Sequence, residues 1–182
     1  MKIVNEIIYF VFPLLFAGLI HHLVIIKYNL LPFLSKPIDC GKYFNSRPLF
    51  GKSKTWRGLL SVPILSGIGS LIISQIVIIP VTLPAFLIGF LLGAGYAIAE
   101  LPNSFIKRRF DIQAGEKARN RFRILFLVLD QIDSVIGSIL MLLLIYPATF
   151  ILCLYILIIG GLLHLSVDLY LYKYGYKKLK NN

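Results

Sequence analysis

The chain has 182 residues, of which 58% are hydrophobic and 15% charged, and its formal net charge is +11. A water-soluble domain carries about 25% charged residues, so an ordinary soluble globule is excluded, and so is a disordered chain. Cys40 stands in a polar stretch and Cys153 in an apolar one, and there is no third cysteine; a disulfide framework and a zinc site of Cys/His spacing are therefore ruled out.

In chain order the apolar runs predict an all-α integral membrane protein with five transmembrane helices, forming one domain over 1–182. A span needs about 20 mostly apolar residues. Span one covers 7–26, where His21 and His22 are the only ionisable side chains with a pKa near neutrality. From Gly58 to Ala99 no residue carries a formal charge, which is room for two spans. Pro80 and Pro84 break that run, giving spans at 58–79 and 82–100. Span four is 124–146, with Asp130 and Asp133 near its start. Tyr146-Pro147 ends it, and span five is 148–172, with His164 and Asp168 late in it.

Five spans sort the charge. Loop 27–57 holds Lys27, Lys36, Lys42, Arg47, Lys52, Lys54 and Arg57. Loop 101–123 holds Lys107, Arg108, Arg109, Lys117, Arg119, Arg121 and Arg123, and the tail holds Lys173, Lys177, Lys178 and Lys180. Of the 19 Lys and Arg residues only Lys2 lies elsewhere. The positive-inside rule then predicts an N-terminus outside, a C-terminus in the cytoplasm and two long basic cytosolic loops. The charge excess thus belongs to topology and a membrane-surface site, and nucleic acid is not an expected partner.

Within Leu129-Asp130-Gln131-Ile132-Asp133-Ser134, two carboxylates three residues apart share one helix face. Each costs about 2.5–3.5 kcal/mol inside a membrane helix. A hard divalent cation such as Mg²⁺ removes their repulsion, because it is typically held by one or two carboxylates plus substrate phosphates. The bland alternative is a helix N-terminal pair stabilised by the dipole. Glu100 ends span three at the same depth, so a third carboxylate can join the ion.

The stretch Gly51-Lys52-Ser53-Lys54-Thr55-Trp56-Arg57-Gly58 offers cations, hydroxyls and backbone N–H groups to a phosphate. Its spacing is not that of a P-loop, and it reads equally well as a basic anchor for lipid headgroups. Ser104 with Lys107-Arg108-Arg109 offers phosphate donors too, and serves as a topology signal on the other reading. Pro102 is expected to end or kink the helix there. Together these groups support Mg²⁺-dependent phosphoryl or nucleotidyl transfer to a lipid that reaches the site from the bilayer.

Several blocks, in order, resemble CDP-archaeol synthases. Lys36-Pro37-Ile38-Asp39 with Gly41, then Leu49-Phe50-Gly51-Lys52-Ser53-Lys54-Thr55-Trp56-Arg57-Gly58, resemble that family's first cytosolic loop. Ser104-Phe105-Ile106-Lys107-Arg108-Arg109 resembles its second. Leu129-Asp130-Gln131-Ile132-Asp133 with Gly137 resembles its metal motif, and His164-Leu165 with Tyr172–Gly175 its last span. The resemblance implies a five-helix cytidylyltransferase that uses CTP. The phosphate of 2,3-di-O-geranylgeranylglyceryl phosphate, or of a related lipid, attacks the α-phosphorus, and a CDP-lipid and pyrophosphate form. It implies Asp130 and Asp133 as Mg²⁺ ligands, with Lys107 beside them as a catalytic residue. Gly51, Lys52, Lys54, Thr55, Arg57, Ser104, Lys107 and Arg108 are then contacts to CTP or lipid phosphate, and Asp39 shapes the first loop. A homodimer is a candidate assembly. Ala99-Glu100 stands where the family pattern has Gly-Asp, and Asp168 where it has Asn. Bacterial relatives of the family exist, and their acceptor need not be archaeal.

Two other classes compete. A CDP-alcohol phosphotransferase needs a D-x-x-D-G-x-x-A-R pattern, but Ser134 follows Asp133 here. A non-enzymatic lipid-binding or transport protein would use the basic loops only to grip headgroups.

Overall fold

A computed structural model describes residues 2–116 and 122–174; Lys117, Arg119, Arg121, Gly175 and the tail lysines 177, 178 and 180 lie outside them. The chain folds into five long helices. They are α1 (Lys2–Ile20, continued by a π-helical stretch His21–Ile26), α2 (Trp56–Ser74), α3 (Ala85–Arg109), α4 (Arg123–Ile145) and α5 (Phe150–Lys173). All five are long and apolar enough to cross a membrane. The α1–α2 connector adds a 3-10 turn, Pro32–Leu34, and a small antiparallel hairpin of β1 (Tyr43–Phe44) and β2 (Arg47–Pro48).

The helix bounds differ from the hydropathy bounds in ways that matter. α1 starts at Lys2, because Glu6 is not a solvated charge but a buried acceptor for the Tyr146 hydroxyl at 2.6 Å. α3 does not stop at Pro102. It continues to Arg109, with Pro102 on its exposed side. A proline costs a helix one backbone hydrogen bond, and on an outward face that loss is tolerated. Ser104, Lys107, Arg108 and Arg109 therefore sit on a helix rather than in a loop, and share the register of Glu100.

α3 is the hub, packed on α2 and α4, while α1 closes against α2 and α5. Small residues let the helices approach. A Cβ on Gly137 would lie 2.2 Å from the Gly95 carbonyl oxygen, and one on Gly89 would lie 2.2 Å from that of Ser66. Buried hydroxyls spend their donors on neighbouring backbone: Ser66 Oγ to Pro13 O at 3.2 Å and Ser138 Oγ to Leu92 O at 3.1 Å. Such pairing is what an apolar solvent demands of a polar group. Phe10, Ile88, Leu92, Leu142 and Leu152 form the fully buried core.

Candidate active site

The ends of α3, α4 and the α1–α2 connector meet at one end of the bundle. Asp130 and Asp133 lie on the same face of α4, and Asn103, on the extended part of α3, reaches both. Its Nδ2 donates to Asp130 Oδ1 at 2.8 Å and to Asp133 Oδ2 at 2.7 Å. The two carboxylates thus converge on one point. Lys107, one turn further along α3, donates to both oxygens of Asp130 at 2.6 and 2.5 Å. Asp133 Oδ1 also accepts from the Ser134 backbone N–H at 2.6 Å.

Glu100 takes a different place from the one its sequence position suggests. It forms an ion pair with Lys54, and its Oε1 lies 3.0 Å from the Ser134 hydroxyl. That hydroxyl is also 3.1 Å from Asp133 Oδ1. Glu100 is therefore linked to the aspartates through Ser134 and held by its own cation. The pair staples the first connector onto α3. Burial alone would lower the Lys54 pKa, but the facing Glu100 carboxylate outweighs it and holds the ammonium above its ordinary range.

Asp39 shapes the connector. Its carboxylate is buried and accepts from the backbone N–H groups of Gly41 at 3.0 Å, Phe50 at 3.0 Å and Gly51 at 2.9 Å. Burial pushes its pKa up, yet these three donors and the nearby Arg108 charge win, and the net shift is downward. Gly51 has φ +87°, and a Cβ there would come within 3.2 Å of Arg108 Nε and 3.3 Å of the Ala114 Cβ. Glycine at 51 lets the loop close on α3.

Several expected phosphate contacts also bond within the chain. Arg57 donates to Asn29 Oδ1 at 3.0 Å and Leu30 O at 3.3 Å, tying the end of α1. Thr55 caps α2 through Gly58 N at 3.4 Å. Arg108 is buried and donates to the carbonyls of Phe50 and Ile112. Arg109 caps the hairpin carbonyls of Phe44, Arg47 and Pro48 and packs on the Phe44 and Phe105 rings. Arg47 answers with Asp111 at 2.6 Å. Ser104 is buried, and Lys52 is exposed.

Asn103 is the residue that sequence reasoning missed as a site member. Its signal was its place four residues before Lys107, which a helix ending at Pro102 conceals. Its Oδ1 is buried without a hydrogen-bond partner. Among the described residues no three His, Cys, Asp or Glu side chains group to hold a metal. Two converging carboxylates are nevertheless a fitting donor set for Mg²⁺, which takes few protein ligands and completes its shell with water and phosphate.

Five membrane-length helices, with an acid–lysine cluster at one end of the bundle, define a multi-pass membrane protein. The family model for CDP-archaeol synthase, CarS-like, matches residues 1–181. The CDP-archaeol synthase of Thermococcus onnurineus is 31% identical over 153 residues, covering 79% of this chain and 82% of the relative. That of Methanococcus maripaludis is 29% identical over 179 residues, covering 91% and 96%. The Pyrococcus furiosus protein of the same name is 42% identical over 88 residues, covering 45% and 50%. No solved structure matches the chain.

The chain belongs to the CDP-archaeol synthase family. It is an enzyme, a CTP-dependent cytidylyltransferase, which sets aside the lipid-transport and CDP-alcohol phosphotransferase readings.

Proposed function

We propose that the chain transfers CMP from CTP to the phosphate of 2,3-di-O-geranylgeranylglyceryl phosphate or a closely related lipid phosphate, with Mg²⁺. One observation carries the reading: Asp130 and Asp133 both bond the Asn103 amide, so their carboxylates lie side by side, and Lys107 pairs with Asp130. Asp130 and Asp133 would hold the Mg²⁺. Bound there, the ion neutralises phosphate charge and keeps the nucleotide in place. Glu100 stays in its pair with Lys54 and adds charge beside the ion rather than a bond to it.

The chain's own groups do the rest. Lys107 and Lys54 are each held by an acid at the site and can turn their donors to phosphate oxygens, since an ammonium is a strong partner for either anion. Lys52, exposed on the same connector, adds charge for the triphosphate. The Gly51 backbone bend, fixed by Asp39 and Arg108, shapes the loop over the nucleotide. An oxygen of the lipid phosphate attacks the α-phosphorus and forms the new P–O bond. The bond to the β-phosphate breaks, and pyrophosphate leaves with that electron pair. The lysines stabilise charge on the oxygens in flight.

The segregation of cations supports a cell-membrane orientation with the connectors in the cytosol and the N-terminus outside. CTP then reaches the site from the cytosol, and the acceptor from the inner leaflet.

The test is the purified chain with Mg²⁺, labelled CTP and a panel of lipid phosphates that differ in tail and glycerol stereochemistry. CDP-lipid and pyrophosphate should form with at least one acceptor and stop with EDTA. No product with any acceptor would overturn the reading; an EDTA-resistant rate would remove the metal.

A further inference from the structure

A trough of about 480 Å³, counting its open mouth, lies between α1 and α5 over α3 and α4. Val11, Leu14 and Gly18 of α1 form one wall, and Ile156, Leu163 and Val167 of α5 the other. At a rise of 1.5 Å per residue these walls run for about 10–16 Å along the helices. Two polar rings also line it. Tyr96 and His164 meet edge to face at 5.9 Å, and both lie toward the end of the bundle that carries the acids.

The polar end leads straight to the active site. Tyr96 stands one turn of α3 before Glu100, whose carboxylate the Ser134 hydroxyl bonds. That same hydroxyl sits between Glu100 and Asp133. His164 Nδ1 is 3.4 Å from the carbonyl of Gln131, which lies between the two aspartates in sequence. An apolar trough between two membrane-length helices that ends beside the acid–lysine cluster has the shape of an amphiphile: hydrocarbon along α1 and α5, headgroup at Tyr96 and His164.

We infer that this trough seats one hydrocarbon chain of the lipid-phosphate acceptor and aims its headgroup at Asp130, Asp133 and Lys107. The inference rests on the cytidylyl-transfer reading above. Gly18 faces open space, since a Cβ built there meets nothing within 4 Å. A side chain at 18 has room at its Cβ and would project into the trough, and it would also favour the helix, because glycine is a poor helix former.

The experiment compares wild type with Gly18→Leu and Gly18→Ala in nanodiscs. The acceptors are a long-chain isoprenoid glyceryl phosphate and a short-chain analogue too short to enter the trough. In Gly18→Leu, KM for the long-chain acceptor should rise about tenfold. KM for CTP and the short-chain rate should stay unchanged, and Gly18→Ala should fall between. In parallel, a diazirine-tailed lipid phosphate should label residues of α1 and α5, with unlabelled lipid phosphate competing and a lipid alcohol not competing. An unchanged long-chain KM in Gly18→Leu, or labelling that ignores the phosphate, would overturn the inference while leaving CMP transfer standing. Competed labelling of α1 and α5 without any CMP transfer would support the trough and overturn the reaction instead.

Discussion

The Lys107 ammonium lies 2.6 and 2.5 Å from the two carboxylate oxygens of Asp130. A lysine and an aspartate on neighbouring membrane helices neutralise each other, and a triphosphate with its metal can compete for both. Asp130→Ala and Asp133→Ala should each lower the rate of CDP-lipid formation at least a hundredfold, about 2.7 kcal/mol of transition-state stabilisation. Each variant should retain helicity by circular dichroism. Wild-type turnover in either would remove the carboxylates from the chemistry.

Lys54 and Glu100 form the second acid–lysine pair, and a double-mutant cycle separates its two roles. Lys54→Met leaves a carboxylate without its cation inside the bundle, a change that costs about 3–5 kcal/mol at a fully buried site and less at this partly exposed one. Unfolding in detergent should show that loss. Glu100→Gln in the same chain should restore much of the stability, while KM for CTP stays raised, because the phosphate donor is still missing. Recovery of both would make Lys54 structural only.

Asp39 gives the first connector a pH dependence. Burial raises the carboxyl pKa, but the N–H groups of Gly51, Phe50 and Gly41 more than offset that, so the folded value lies below the unfolded one. Its contribution to stability is then complete above the ordinary Asp value, about 3.9. It is lost as pH falls from there through the folded pKa. Trp56, the only tryptophan, reports the change, because its backbone N–H donates to the Lys36 carbonyl and so holds it at the base of the same loop. Its emission should shift below about pH 4 in wild type. Asp39→Asn should show the altered emission already at neutral pH and no acid step.

Gly95 and Gly137 set the distance between α3 and α4. Gly137→Val would drive Cβ against the Gly95 carbonyl oxygen and the Ala99 side chain. Backbone cannot yield as a flexible side-chain tip can, so the helices must part. A loss of about 1–3 kcal/mol is expected from overpacking. A drop in CMP transfer should accompany it, because Asp130 and Asp133 ride on α4 and Asn103 and Lys107 on α3. Thermal unfolding in detergent with an activity assay checks both.

Cys40 is exposed on the first connector, and Cys153 lies within α5. A membrane-impermeant maleimide should label Cys40 in inside-out vesicles and not in intact cells. Labelling in intact cells would reverse the proposed orientation.

How much of this the sequence reveals differs from residue to residue. Asp130 and Asp133 are conspicuous because charge inside an apolar run is rare and costly. Lys54 and Lys107 are visible as cations, but their pairing with Glu100 and Asp130 is not, since each pair joins positions far apart in the chain. Asn103 stays hidden because it is neutral and lies just past a proline. Arg57, Arg108 and Arg109 read as phosphate ligands by type, and the fold spends them on side-chain and backbone oxygens at Asn29, Phe50 and Phe44.

The sequence by itself determined five membrane-length helices and the sorting of cations to one side of the spans. Bilayer solvation acts residue by residue: apolar runs must be helical to satisfy their backbone, and each charge pays its own transfer cost. Only the tertiary structure decided which oxygens each cation bonds. A guanidinium or ammonium takes whichever oxygen lies within about 3 Å, and that distance is set by how α2, α3 and α4 cross at their glycines.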